Sequence, residues 1–264
     1  MLEEVRLQEE LKKGSWAGRV ICLPAVDSTN AEVKRLARAG ESGPLAVTAE
    51  EQTAGRGRRG RSWSSPPGEN LYFTALVCPK LPAEKVPMLT PAAALAVCRV
   101  LRAAGIQARI KWPNDVVIGG KKVCGILTEL LWDGSGGCQV AVGIGINVNR
   151  EEFPAEIRDV ATSMKREGGR EYVREELLAG VLNGLADCFE NVYAAGDLTG
   201  LKEEYEELLA NRMARVEVQD PAGSWKGTAL GIDGAGQLLV RRPDGSTETV
   251  FAGEVSVRGI YGYV

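Results

Sequence analysis

Apolar and polar residues change period several times along this chain, and the changes divide it into strands, helices and a β-only tail. After a short amphipathic N-terminal segment, residues 19–23 read as a strand and Asp27-Ser28-Thr29-Asn30 opens a helix. Thr29 and Glu32 stand at capping-box spacing, and Gly40 is placed to end that helix. Residues 44–50 and 70–78 are rich in the aliphatic, β-branched and aromatic side chains that strands prefer. Residues 88–104 form an Ala, Leu and Val run closing on Gly105, which predicts a buried helix. Residues 108–115 extend into a turn stopped by Pro113, and a hairpin follows from 116–118 through Gly119-Gly120 to 121–131, with a further strand over 139–149.

From 172 to 193, Val173, Leu177, Leu178, Val181, Leu182, Leu185, Phe189 and Val192 recur every three or four residues. That spacing predicts an amphipathic helix whose apolar stripe belongs to a core or interface. A Glu-rich helix follows over 199–210. Beyond Arg212 the period becomes two, in short runs between turns such as Pro243-Asp244-Gly245. Strands interspersed with helices predict an α+β domain built on a mixed sheet over residues 1–211, and the tail predicts a small barrel, SH3-like in size, over 212–264.

Charge changes this picture only locally. The chain of 264 residues carries 32 Lys and Arg against 35 Asp and Glu, so no global field draws it onto nucleic acid. Yet Gly55-Arg56-Gly57-Arg58-Arg59-Gly60-Arg61 places four guanidiniums in seven residues, with Trp63 close behind. Taken alone, that stretch reads first as a solvated or RNA-binding Arg/Gly segment, because charge runs are usually solvated, and second as an anion-binding loop. There is no histidine, which removes imidazole bases, Ser-His-Asp triads and His-ligated zinc. Lysine, arginine, carboxylates and bound metal remain, a palette suited to phosphate and acyl-phosphate chemistry.

The N-terminus is acidic where a secretory signal would be basic and then apolar, and no apolar run approaches the roughly 18 residues that span a bilayer. Six cysteines without a C-x-x-C pair read as buried thiols, so a reducing cytoplasm is expected, with no membrane partner.

Four further segments carry candidate chemistry. Ser28, Thr29 and Asn30 put three hydrogen-bonding side chains at a helix start, which reads as a plain cap or as a site for polar ligand groups. Lys111-Trp112-Pro113-Asn114-Asp115 gathers a cation, an indole, an amide and a carboxylate that packing alone does not explain. Lys121 and Lys122 enter an otherwise apolar strand, where charge is costly unless paired. Gly143-Ile144-Gly145-Ile146-Asn147-Val148-Asn149 ends a strand with small residues and amides, read either as tight packing or as a ligand wall.

In this order, these segments resemble the biotin–protein ligases, and Lys122-Val123-Cys124-Gly125-Ile126-Leu127 and Gly253-Glu254-Val255-Ser256-Val257-Arg258-Gly259 match as well. The resemblance spans residues 20–260 and implies a class II synthetase-like catalytic domain with a C-terminal SH3-like barrel. It implies ATP-dependent formation of biotinyl-5′-AMP, then transfer to a lysine of a biotin carboxyl carrier protein domain. Lys122, Arg58 and Asp115 become the expected catalytic residues.

By the same resemblance, biotin is expected against Ser28, Thr29, Asn30, Gln52, Arg56, Gly57, Arg58, Trp63, Lys122 and Gly125. ATP is expected against Arg56, Arg58, Arg59, Arg61, Lys111, Asn114 and Asn147, with Mg²⁺ at Asn114 and Asp115, and Arg258 as a contributor from the barrel. Family members that repress transcription carry an extra N-terminal winged helix-turn-helix, for which residues 1–26 leave no room, so no DNA partner is expected. Exposed strands of this fold often pair, so a homodimer or a monomer–dimer equilibrium is expected. A lipoate or octanoate ligase, or a nucleic-acid module using the Arg/Gly loop, remains as an alternative.

Overall fold

The computed structural model describes residues 2–11, 14–132, 138–219, 223–252 and 256–259. Chain order runs α1 (Glu4–Leu11), β1 (Val20–Leu23), α2 (Thr29–Arg38), β2 (Leu45–Ala49), β3 (Leu71–Val77), α3 (Leu89–Ala103), β4 (Ala108–Lys111), β5 (Asp115–Ile118), β6 (Lys121–Trp132) and β7 (Cys138–Ile146). It continues through α4 (Met164–Gly168), α5 (Arg174–Ala195), α6 (Thr199–Leu208), β8 (Arg215–Gln219), β9 (Trp225–Ile232), β10 (Leu238–Arg241), β11 (Thr247–Val250) and β12 (Ser256–Gly259).

The first seven strands form one sheet of order β1-β2-β3-β7-β6-β5-β4, in which β1 and β2 run parallel and every other pair antiparallel. The sheet is therefore mixed, as the sequence pattern predicts. The last five make an antiparallel sheet of order β11-β10-β9-β8-β12, the small SH3-like unit. Of the motif at 253–259, residues 253–255 fall outside the described residues, and so does the side chain of Arg258.

Period-two alternation gives the large sheet two different faces. On one, Ala46, Phe73, Ala75, Val140, Val142 and Ile144 join α3 and α5 in the main core. On the other, α2 seals a small cluster of Val33, Leu45, Val47, Leu76 and Ala141. Beyond that cluster the second face carries Thr74, Gly143, Gly145, Gly125, Leu127 and Glu129 in register across β3, β7 and β6. Only the start of α2 reaches this part of the face, which holds the site.

One helical stretch, Ala83–Ala103, is long and apolar enough by composition to cross a membrane, contrary to the reading of the sequence. It joins a 3-10 turn to α3, and two-thirds of its most apolar window is buried inside the fold. Its apolar surface is spent on the core, including Leu95, Val97 and Leu101.

Candidate functional site

The second sheet face carries a narrow slot that opens into a wider cleft. The slot is lined by Ser28, Thr29, Asn30, Gln52, Arg56, Gly57, Arg58, Trp63, Lys122 and Gly125, together with Gly143 and Gly145. All ten residues expected at a biotin site thus surround one cavity. The floor exists because three strand positions lack side chains. A Cβ at Gly143 would lie 1.9 Å from Asn30 Oδ1, and at Gly145 2.6 Å from Trp63 Nε1. At Gly125 it would lie 2.9 Å from Lys122 Nζ.

The inner end is polar and tightly wired. The capping-box reading of Thr29 does not hold: Ser28 is the cap residue of α2, and its side chain makes no capping bond. Thr29 turns inward instead. Its N–H donates to Gln52 Oε1 at 2.9 Å, and its hydroxyl lies 3.2 Å from the same oxygen. Asn30 Nδ2 donates to Glu129 Oε2 at 2.8 Å and to the Leu127 carbonyl at 3.3 Å. Thr74 Oγ1 stands 2.6 Å from Asn30 Oδ1 and 2.9 Å from Thr29 Oγ1.

The Arg/Gly stretch is a hairpin and not a tail. Gly57 N–H donates to the Arg61 carbonyl at 2.7 Å and Trp63 N–H to the Gly55 carbonyl at 2.9 Å, closing a turn whose tip is Arg58–Gly60. Arg59 sits there at φ 58°, a left-handed conformation that disfavours residues with a Cβ. Arg58 reaches inward, donating to Asn114 Oδ1 at 2.8 Å and to the Ala252 carbonyl of the SH3-like unit. Burial pulls the Arg58 pKa below its ordinary value, and the charges of Arg59 and Arg61 add to this while Asp115 opposes it. Such a cluster favours an anion.

Lys122 owes its direction to a bulge. Gly125 pairs with Asp115 and Cys124 with Val116, but Val117 pairs with Lys122, leaving Val123 as the extra residue. Without it, Lys122 and Gly125, three apart, would face opposite sides of the sheet. With it, Lys122 Nζ comes 2.6 Å from Asp115 Oδ1 and 5.2 Å from the Trp63 ring. The Lys122 backbone is fixed by the Val160 carbonyl at 2.8 Å and the Thr162 N–H at 2.9 Å.

The cleft of about 280 Å³ lies beyond Lys122. Arg58, Arg59, Arg61, Lys111, Asn114 and Asn147 line it, as expected for a nucleotide site. Arg56, also expected there, lines the slot instead, on the other side of the Arg58 turn. The cleft also has Arg150, Phe153, Ile157 and Val160, which sequence reasoning missed. Arg150 lies over the Phe153 ring at 5.0 Å and Arg166 at 5.6 Å. The only signal in the sequence was an isolated Phe in a polar stretch.

The expected Mg²⁺ ligands do not form a metal centre. Among the described residues no three His, Cys, Asp or Glu side chains cluster. Asn114 Oδ1 already accepts from Arg58, its Nδ2 donates to the Ile126 carbonyl, and the Asp115 carboxylate is paired with Lys122. The protein therefore provides no ready-made cage, and a Mg²⁺ here would rest mainly on phosphate oxygens and water, with Asp115 as the carboxylate at hand.

A mixed sheet with one glycine-floored face, a slot and a cleft meeting at half-buried cations, and an appended SH3-like unit define an acyl-ligase architecture. Comparison with known proteins narrows the class. The model of the biotin/lipoate A/B protein ligase family matches residues 22–147, and that of the biotin protein ligase C-terminal domain matches 214–258. The chain is 40% identical over 249 residues to the biotin–[acetyl-CoA-carboxylase] ligase of Paracoccus denitrificans, covering 90% of this chain and 100% of that protein.

It is 36% identical over 250 residues to the bifunctional ligase/repressor BirA of Bacillus subtilis, covering 92% of this chain and 76% of that one. The biotin protein ligase of Aquifex aeolicus, solved in complex with biotin and ATP, superposes with a TM-score of 0.82 at 33% identity over 91% of this chain and 99% of that one. The chain belongs to the biotin protein ligase family.

Proposed function

We propose that this chain activates biotin with ATP to biotinyl-5′-AMP and transfers the biotinyl group to a lysine of a biotin carboxyl carrier protein. Residues 1–211 would carry the chemistry, with 212–264 as the appended barrel. The observation that carries this reading is the wall shared by slot and cleft. Gly57, Arg58, Trp63, Asn114 and Lys122 line both cavities, so the polar tail of a slot ligand meets the phosphates of a cleft ligand beside two cations.

In the first step a biotin carboxylate oxygen forms a bond to the α-phosphorus of ATP, and the bond from that phosphorus to the bridging oxygen breaks, releasing pyrophosphate. Arg58 and Lys122 offset the repulsion between carboxylate and triphosphate, which in a site shielded from water is worth several kcal/mol. Arg59 and Arg61, more exposed at the cleft mouth, suit the outgoing pyrophosphate.

In the second step the neutral lysine amine of the carrier bonds to the acyl carbon, the acyl–phosphate C–O bond breaks, and AMP leaves. Asp115, in the cleft lining and paired with Lys122, takes the amine proton in this reading. Lys122 then holds charge on the carbonyl oxygen. The Aquifex aeolicus neighbour bound to biotin and ATP supports the pairing of ligands, and the Paracoccus relative, by its name, supports the carrier.

Calorimetry with biotin and then ATP, followed by mass spectrometry of the bound product, tests the reading. Uptake of biotin, and of a biotinyl-AMP mass once ATP is added, is the expected result. Failure to bind biotin at micromolar concentrations overturns it.

A further inference from the structure

Glu129 lies on β6, two positions beyond Leu127 and four beyond Gly125, and so on the slot face. It was not singled out by the sequence, and in the reaction above it has no role. Its carboxylate is nevertheless tied to the inner end of the slot through Asn30. Lys34 Nζ holds one oxygen at 2.5 Å and Asn30 Nδ2 the other at 2.8 Å. Burial raises the Glu129 pKa, but the bonds from Asn30 and Lys34 outweigh it and the net shift is downward, so the group stays ionised and can only accept.

An ionised acceptor removes the ambiguity of an amide. With Glu129 and the Leu127 carbonyl taking the Nδ2 protons, Asn30 must turn its oxygen toward Thr74 and the slot. Thr74 has a single hydroxyl proton, and an amide oxygen at 2.6 Å can only accept it. Thr74 Oγ1 can then only accept at its 2.9 Å contact with the Thr29 hydroxyl, whose single proton goes to it or to Gln52 Oε1 at 3.2 Å, leaving Thr29 no proton for a ligand. The direction set at Glu129 passes through Asn30 and Thr74 to Thr29. What remains for a ligand is lone pairs, on Asn30 Oδ1 and Thr29 Oγ1. Gly143 permits this packing, because any Cβ there would displace the amide.

We propose that Glu129 is a specificity-determining positioning residue, which orients the Asn30–Thr74–Thr29 chain so that the inner end of the slot accepts hydrogen bonds and selects ligand N–H donors. The inference rests on biotin being the slot ligand, whose cyclic urea carries two such donors. Exchange of one ring N–H for an ether oxygen, giving a cyclic carbamate, turns a donor into an acceptor facing an acceptor.

The test measures KM and kcat for adenylate formation with biotin and with the carbamate analogue, in the full-length chain. Wild type should prefer biotin by about tenfold or more, the worth of one buried hydrogen bond. Glu129→Gln, whose amide can present either end, should lower that preference to about threefold or less, through KM and not kcat. Lys34→Gln removes the ion pair but leaves the acceptor, and should keep the wild-type preference at pH 8, about four units above the ordinary carboxylate value. A merely structural ion pair would make the two variants alike.

If Glu129→Gln does not fold, Thr74→Val breaks the same chain without touching the charge and should lose the preference in the same way. Wild-type discrimination persisting in Glu129→Gln or Thr74→Val, or lost in Lys34→Gln, overturns the proposal while biotin binding stands. A wild type that binds biotin and carbamate equally also overturns it, and one that binds no biotin overturns the functional reading with it.

Discussion

Replacing Gly143 by alanine places a methyl group where the slot can least accept one. A Cβ at this position lies 1.9 Å from Asn30 Oδ1, 2.7 Å from its Cγ and 3.0 Å from Nδ2. Ordinary contact begins near 3.4 Å, so something must move by about 1.5 Å. β7 is bonded on both sides, to β3 and β6, and resists such a shift, whereas the amide is held only by its hydrogen bonds. A displacement of that size carries Asn30 out of range of Thr74, now at 2.6 Å, and of Glu129, now at 2.8 Å.

One bond to a charged group, at about 1.5–3 kcal/mol, and one neutral bond, at about 0.5–1.5 kcal/mol, sum to a loss of about 2–4.5 kcal/mol. If this loss falls equally on the fold and on the ligand, the biotin Kd rises about five- to forty-five-fold and the Tm falls by about 2–9 °C. Titration calorimetry and a calorimetric melt on the same preparation read both quantities. A Gly143→Ala protein that binds biotin within about twofold of wild type would refute the placement of Asn30 in the slot.

Three other outcomes follow from the same geometry. Lys122→Ala should abolish adenylation, and ATP–pyrophosphate exchange at the wild-type rate would remove Lys122 from the chemistry. Arg58→Gly cuts the bonds that tie the loop to Asn114 and Ala252. It should still form biotinyl-AMP but release it, because a loop cut loose from these two anchors no longer covers the intermediate, and unchanged retention of labelled intermediate would contradict this. Glu50 is raised by burial, but its bonds to Arg174 and to Leu2 N–H bring its pKa below the ordinary value. Such a depressed carboxyl stabilises the fold above its unfolded value of about 4.3, and that stability is lost as pH falls through the lower folded value. Glu50→Gln should therefore flatten the acid limb of Tm against pH, and a wild-type slope in the variant would exclude Glu50 as its source.

Strands with sustained apolar or alternating runs were legible in the sequence, and so was α5, because a repeating stripe leaves its period in the residues. α4 was not, since five residues between loops carry no period. Of the site, the segments that concentrate unlike chemistries, such as Lys111-Trp112-Pro113-Asn114-Asp115, announced themselves and lie together in space. Single polar residues on strands did not: Thr74 and Glu129 look like ordinary members of their strands until the register sets them opposite Gly143 and Ala141. Thr29 was misread as a cap because spacing alone does not say which way a hydroxyl at a helix start turns. Nor does the sequence reveal that the Asn114 oxygen accepts from Arg58, from a segment 56 residues away in the chain.

The extra residue at Val123 has a consequence for how β6 can vary. Which face a strand residue occupies is a matter of parity, and the bulge makes the count from Gly125 to Lys122 effectively even. Substitutions at Val123 keep that count, whereas a deletion there would turn the ammonium group away from the slot with every chemical group still present in the sequence. The start of β6 is thus constrained by length as well as by composition, and a variant of this chain shortened by one residue here would keep its family likeness and lose its reacting centre.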